Sequence, residues 1–203
     1  MISVITGDIV NSRKSLPENW LGLLKSELNT HGETPAEWEI YGGDSFQLLV
    51  KDPIQALLAT IRIKATIRTI KPLDVRLAIG IGEMTFQSSK ITECNGSAFV
   101  SSGEKYNALK KERQNLAIKS PWPGFDTTLN LCLRLGLIVM DRWPVNAAEV
   151  VRLALLNPDA SQSELGSMLE KRQNTVSTRL ARAHFDEVME INELYKNSLK
   201  ELL

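Results

Sequence analysis

Apolar positions along the first 120 residues switch between two periods. Ile2–Thr6 is a short β-rich run, and Pro17–Leu28 carries Trp20, Leu21, Leu24 and Leu28 at helical spacing behind a proline. Glu37–Tyr41 and Phe46–Val50 flank Gly42-Gly43-Asp44, which predicts a hairpin because glycines supply the positive φ of a tight turn. Ile54–Ile70 predicts a second helix, with Ile54, Leu57, Leu58, Ile61 and Ala65 on one stripe. Val75–Ile81 alternates as a strand. A loop around Thr92–Gly96, a short helix near Val100–Lys111 and a strand at Asn115–Lys119 follow. The order is β-α-β-β-α-β plus additions. It predicts the ferredoxin-like or palm class, an antiparallel sheet covered by two helices.

Pro121-Trp122-Pro123-Gly124 breaks this pattern, and from Asp126 onward only helical spacing remains. Asp126 is expected to cap the first of these helices. Leu129–Met140, interrupted by Asn130 and Arg134, is too short to span a bilayer and reads as a buried helix. Ala147–Leu156 predicts the next, ended by Asn157-Pro158. Ser161-Gln162-Ser163-Glu164 is a capping box that opens a short helix to about Leu169, and another starts near Asn174. The expected class is therefore α+β: a sheet domain over 1–120, a connecting helix over 121–144 and an all-α unit over 145–203.

Composition narrows the function. The chain has 203 residues, 43% hydrophobic and 24% charged, with a net charge of zero. It is not a general polyanion binder, so any nucleic-acid contact must come from a local patch. Cys94 and Cys132 lack metal-site spacing and His31 and His184 are the only histidines, which argues against structural zinc and a disulfide scaffold. Met1–Gly7 has no basic flank or long apolar core, so no signal peptide is expected and the compartment is the cytoplasm, away from membranes.

Candidate chemistry starts from Asp8 and Asp44, each closing a short apolar run. If those runs are neighbouring strands, both carboxylates lie at one sheet edge, as hard ligands for Mg²⁺ against nucleotide phosphates. Gly42 and Gly43 would let a phosphate approach the backbone. Two turn aspartates with no ligand is the alternative, since Asp after Gly is common in hairpins.

Tyr41-Gly42-Gly43-Asp44-Ser45-Phe46 resembles the hairpin of GGDEF-type nucleotide cyclases, and Gly7-Asp8-Ile9-Val10-Asn11-Ser12 resembles the first-strand motif of class III cyclases. The resemblance covers roughly residues 1–120 and implies a palm-like fold with Asp8 and Asp44 as metal ligands. Arg76–Glu83 resembles the cyclase strand before a dimer-arm loop. It further implies that Ser101 and Lys105 occupy the positions where cyclases carry an Asn and an Arg that stabilise the reacting phosphate. Lys cannot reproduce a bidentate guanidinium, and losing one such donor costs on the order of 10²–10³ in rate. The fourth GGDEF letter is Ser45 rather than an acid. A domain that binds a nucleotide with Mg²⁺ without cyclising it is the expectation, leaning away from an enzyme.

Ser161–Arg182 resembles the helix-turn-helix of sigma-factor region 4 and related regulators. Gly166 would lie at the helix crossing, and Leu165, Leu169, Val176 and Leu180 would form a small core. Lys171, Arg172, Gln173, Asn174, Thr175, Ser177, Thr178, Arg179 and Arg182 would then face DNA. Between Lys171 and His184 there are four basic residues and no acid. Glu170 and Lys171 replace the usual turn Gly and its apolar neighbour, and Arg172 a common Ser cap; a three-helix bundle with a solvated basic face is the alternative. Phe185, Val188, Ile191, Tyr195, Leu199 and Leu202 form a later stripe for core packing or for pairing with a second copy. Cyclase-like and helix-turn-helix proteins both pair, so a homodimer is expected.

The combination resembles the SatD family of bacterial proteins over nearly the whole chain. A DNA-binding regulator with a nucleotide- and Mg²⁺-binding or dimerising domain is the leading expectation. An active nucleotidyl cyclase using Ser101 and Lys105, or an interaction module without ligand, are the alternatives.

Overall fold

β1 (Ile2–Val10) lies at the centre of the sheet and sets its two faces. In the computed structural model, which describes residues 1–203, it pairs antiparallel with β3 (Ser45–Val50) and β4 (Asp74–Gly82). β2 (Trp38–Tyr41) flanks β3 and β5 (Leu116–Lys119) flanks β4, giving the order β2-β3-β1-β4-β5. The α+β class and the β-α-β-β-α-β succession are present. β5, however, runs parallel to β4, so the sheet is mixed rather than antiparallel throughout.

Alternation along the strands separates two cores. Ile5, Ile9, Phe46, Leu77 and Ile79 belong to the core beneath α1 (Leu21–Asn29) and α2 (Ala56–Arg68). Val4, Leu49, Ala98 and Phe99 pack on the other face, under α3 (Ser97–Glu112). Three helices therefore cover the sheet, not two. The expected helix at Val100–Lys111 is longer at both ends; two 3-10 turns precede α1 and one precedes α2.

The remaining helices are α4 (Pro123–Met140), α5 (Val145–Leu156), α6 (Gln162–Met168), α7 (Gln173–Ala183) and α8 (Phe185–Lys200). One core of 40 buried residues runs from Ile5 through α2 to Leu199, joining the sheet to these helices. Polar groups lock the joint. Lys64 is fully buried between Asp74, at 2.8 Å, and Asp141, at 2.6 Å. The Trp143 indole donates to the Ala183 carbonyl, and the Tyr195 hydroxyl to the Pro53 carbonyl.

Two expectations need correction. Asp126 lies inside the first turn of α4 and accepts from Ser120 N–H and Oγ, while the N-cap is Trp122, whose side chain makes no capping bond. The Leu129–Met140 stretch is buried on one side only, because Leu131, Leu135 and Ile138 are 50%, 59% and 56% exposed. Of its two expected roles the α8 stripe takes core packing, with Val188, Tyr195 and Leu199 buried. No helix is long and apolar enough to cross a membrane.

Candidate functional site

Asp8 lies near the end of β1, opposite Ser45 of β3 and Arg76 of β4. It shares the parity of Val4 and Thr6, so it points to the face under α3. Gly80 has the same parity, and a Cβ there would come within 2.2 Å of the Ala98 carbonyl. Its bare backbone lets α3 lie close on β4. The row Ala98, Ser102, Tyr106, Lys110, spaced by four, then runs along the sheet towards Asp8. Ser102 Oγ meets Thr6 Oγ1 at 3.0 Å, Tyr106 stands beside Asp8 and Ser45, and Lys110 reaches the groove around Asp8.

Tyr41 pairs with Ser45, so Gly42, Gly43 and Asp44 form a three-residue hairpin loop. Gly42 and Gly43 have φ of 60° and 94°, and nothing lies within 4 Å of where a Cβ would stand. The backbone there faces open space, and the sign of φ is what requires glycine. Asp44 is tied to the end of β1 and to the turn after it: its carbonyl accepts the Ile9 N–H at 3.0 Å, and its carboxylate accepts the Ser12 hydroxyl at 2.5 Å. Asp8 and Asp44 therefore line one groove of about 490 Å³ together with Arg13, Lys14, Arg76 and Lys110. A second hollow of about 540 Å³ is lined by Gly42, Gly43, Asp44 and Trp20. Trp20 is 2% exposed, and its buried indole N–H has no partner.

Burial pushes the Asp8 carboxyl above its usual range. Arg76 opposes the rise, contacting both carboxylate oxygens at 3.3 Å, while the charge of Asp44 adds to it. Burial and the charge of Asp8 likewise push the Tyr106 phenol up. At 3.3 Å the Arg76 contacts are longer than the usual 2.7–2.9 Å of charge-assisted bonds, so a ligand can compete for either partner. No group of three or more acidic, His or Cys side chains that could hold a metal ion occurs in the chain. A cation here would have two carboxylates, with water and ligand oxygens completing its shell, which is a usual arrangement for Mg²⁺.

The two α3 candidates lie elsewhere. Lys105 pairs with Glu112 at 3.0 Å, and neither Lys105 nor Ser101 lines the groove. Each is one residue before the sheet-facing row, a rotation of about 100° on a helix. Tyr106 and Lys110 occupy the place expected for them. Arg76, Tyr106, Lys110 and Trp20 are thus site residues that pattern reading missed.

At the other end of the molecule, both capping-box bonds between Ser161 and Glu164 form. Glu170 ends α6 with φ of 54°. Lys171 N–H bonds the Gly166 carbonyl at 2.8 Å and Glu170 N–H the Ser167 carbonyl at 3.2 Å, the pair of bonds that defines a Schellman turn. A Cβ on Gly166 would stand 2.8 Å from the Lys171 carbonyl, so this glycine sits against the turn between the helices. Leu165, Val176 and Leu180 are buried, and Leu169 is half-buried. Lys171, Arg172, Gln173, Asn174, Thr178 and Arg182 are exposed, while Thr175 and Ser177 are half-buried. Arg179 is a correction. Packing of α7 on α5 turns it to Glu149 at 3.6 Å, leaving its side chain 18% exposed. Gln173 is engaged with Gln162 at 3.0 Å.

No protein-family model matches the chain, and comparison with curated proteins finds no match.

Proposed function

We propose that the protein is a cytoplasmic DNA-binding regulator of the SatD type, whose sheet half binds a nucleotide through Mg²⁺ at Asp8 and Asp44. One observation carries this: a single groove holds both carboxylates with four cations, beside a glycine turn with open backbone. Two acids alone would suit only a cation. Arg13, Lys14, Arg76 and Lys110 add the charge that phosphate oxygens require, and Mg²⁺ bridges the two sets. Arg76 exchanges Asp8 for phosphate when ligand enters. Catalysis is not part of the proposal, since Lys105 is committed to Glu112.

The α6–α7 pair presents Lys171, Arg172, Asn174 and Arg182 to DNA as a homodimer, and Arg179 positions α7 on α5 instead of touching bases. Ligand shifts the geometry of this pair by favouring one of two arrangements.

Calorimetry with ATP or GTP, with and without Mg²⁺, tests the first half. Binding should need Mg²⁺ and weaken at least about tenfold, or about 1.4 kcal/mol, in Asp8→Ala and Asp44→Ala. Absence of binding, or binding indifferent to both substitutions, overturns it. Fluorescence anisotropy on duplex DNA across a salt series tests the second. Arg172→Ala and Arg182→Ala should each reduce the log–log salt slope by about one. A protein that ignores DNA at low salt is not a reader of it.

A further inference from the structure

A cavity of about 610 Å³ lies at the joint between the sheet and the helical half, away from Asp8. Arg68 from the end of α2, Lys71 from the turn into β4, and Arg142 from the turn into α5 all line it, and no carboxylate does. Three cations gathered without an acid are notable in a chain of zero net charge. Arg68 is only partly committed. Its Nη1 reaches Asp74 at 3.6 Å and its Nη2 donates to the Trp143 carbonyl, but its buried Nε has no partner. Lys71 and Arg142 are exposed at the mouth.

The start of α5 closes the far wall. Ala147 and Ala148 N–H both return to the Pro144 carbonyl, at 2.9 and 3.0 Å. The amides of Val145 and Asn146, the first two of a 12-residue helix, have no acceptor within it. They stand at the positive end of its dipole beside the three cations. The cavity falls in the size range of small-molecule sites and exceeds what a lone phosphate would fill.

We infer that this cavity binds the phosphate groups of a phosphorylated small molecule. Lys71 would hold it from the sheet half, Arg142 and the α5 amides from the helical half, and Arg68 from beneath. Such a ligand staples α2 to α5, and α5 carries α7. It therefore acts on the helix pair without contact to Asp8, which does not line the cavity. The wall is also shared: the Pro72 carbonyl, in the same turn as Lys71, accepts the Asn11 amide at 3.1 Å from the loop that follows Asp8.

Pyrophosphate without divalent metal, with EDTA present, is the probe for calorimetry. Wild type should bind at one saturable site. The double substitution Lys71→Ala/Arg142→Ala removes two exposed side chains and should weaken binding at least about tenfold. Lys25→Ala/Lys200→Ala removes the same charge from distant exposed positions and should leave it unchanged. Circular dichroism melts check that both variants fold. Absence of binding to wild type, or equal losses in the two variants, overturns the inference. So does a Lys71→Ala/Arg142→Ala variant that weakens duplex DNA binding while pyrophosphate never binds, since the cations would then serve the DNA backbone.

Discussion

Glu27 on α1 and Asp8 on β1 each face an arginine from a neighbouring element, yet their carboxyls shift in opposite directions. Burial pushes Glu27 up, but the His31 hydrogen bond at 3.2 Å and the Arg62 contact at 3.0 Å outweigh it, with Arg152 adding to them. Its carboxyl is held below the usual range. At Asp8 burial wins, because Arg76 stands farther off and Asp44 adds like charge. Glu27 has found partners enough to be content as an anion. Asp8 carries its charge at a cost of burial that Arg76 only partly offsets.

The largest effect should come from breaking the satisfied member. Glu27→Ala strands Arg62 and His31 in a buried setting and is expected to cost about 3–5 kcal/mol in urea unfolding. Asp8→Ala removes a disfavoured charge and should cost less than about 1 kcal/mol. Equal losses would mean that the two carboxylates play the same structural part.

Acid separates them by sign. The stability that Glu27 contributes is present above its unfolded-state pKa and is lost as pH falls through its depressed folded value. Asp8 is the reverse: protonated more readily when folded, it withdraws stability as pH rises through its raised value. Glu27→Gln should therefore lie well below wild type at neutral pH and converge on it below about pH 4. Asp8→Asn should equal wild type in acid and gain on it towards pH 7, by under about 1 kcal/mol because the site is partly solvated. Melting temperatures from about pH 2 to 8 read both curves, and an Asp8→Asn deficit that grows towards neutrality would reverse the assignment.

Patterning made the strands, the Gly-Gly loop and the capping box legible because each depends on near neighbours. Asp8 and Asp44 were legible too, through strand ends that bring them to one edge. The rest of the groove was not. Which row of α3 faces the sheet depends on Gly80 admitting the Ala98 backbone, and the apolar content of α3 is too sparse to show it. A choice off by one residue picks Lys105 in place of Tyr106. The joint that Lys64 of α2 makes with Asp74 of β4 and Asp141 at the end of α4 rests on single charges and leaves no periodic trace. Lys110→Ala should weaken Mg²⁺–nucleotide binding by about fivefold, or roughly 1 kcal/mol, while Lys105→Ala changes it little. The opposite ranking would return α3 to the register that motif reading suggested.

Glu170 carries the contrast between satisfied and strained acids into the backbone. It takes φ of 54° at the Schellman turn, where left-handed geometry brings Cβ against the following carbonyl. Its side chain is exposed, and the two turn hydrogen bonds come from the backbone, which any residue supplies. Glu170→Gly relieves the Cβ clash but adds freedom to the unfolded chain, so the net gain should be small, about 0.5–1 kcal/mol. Glu170→Ala keeps the Cβ and should gain nothing, which separates strain from charge. If Glu170→Ala stabilised as much as Glu170→Gly, the cost would lie in the carboxylate rather than in φ. The turn would then join Asp8 as a place where charge, not geometry, is held at a loss.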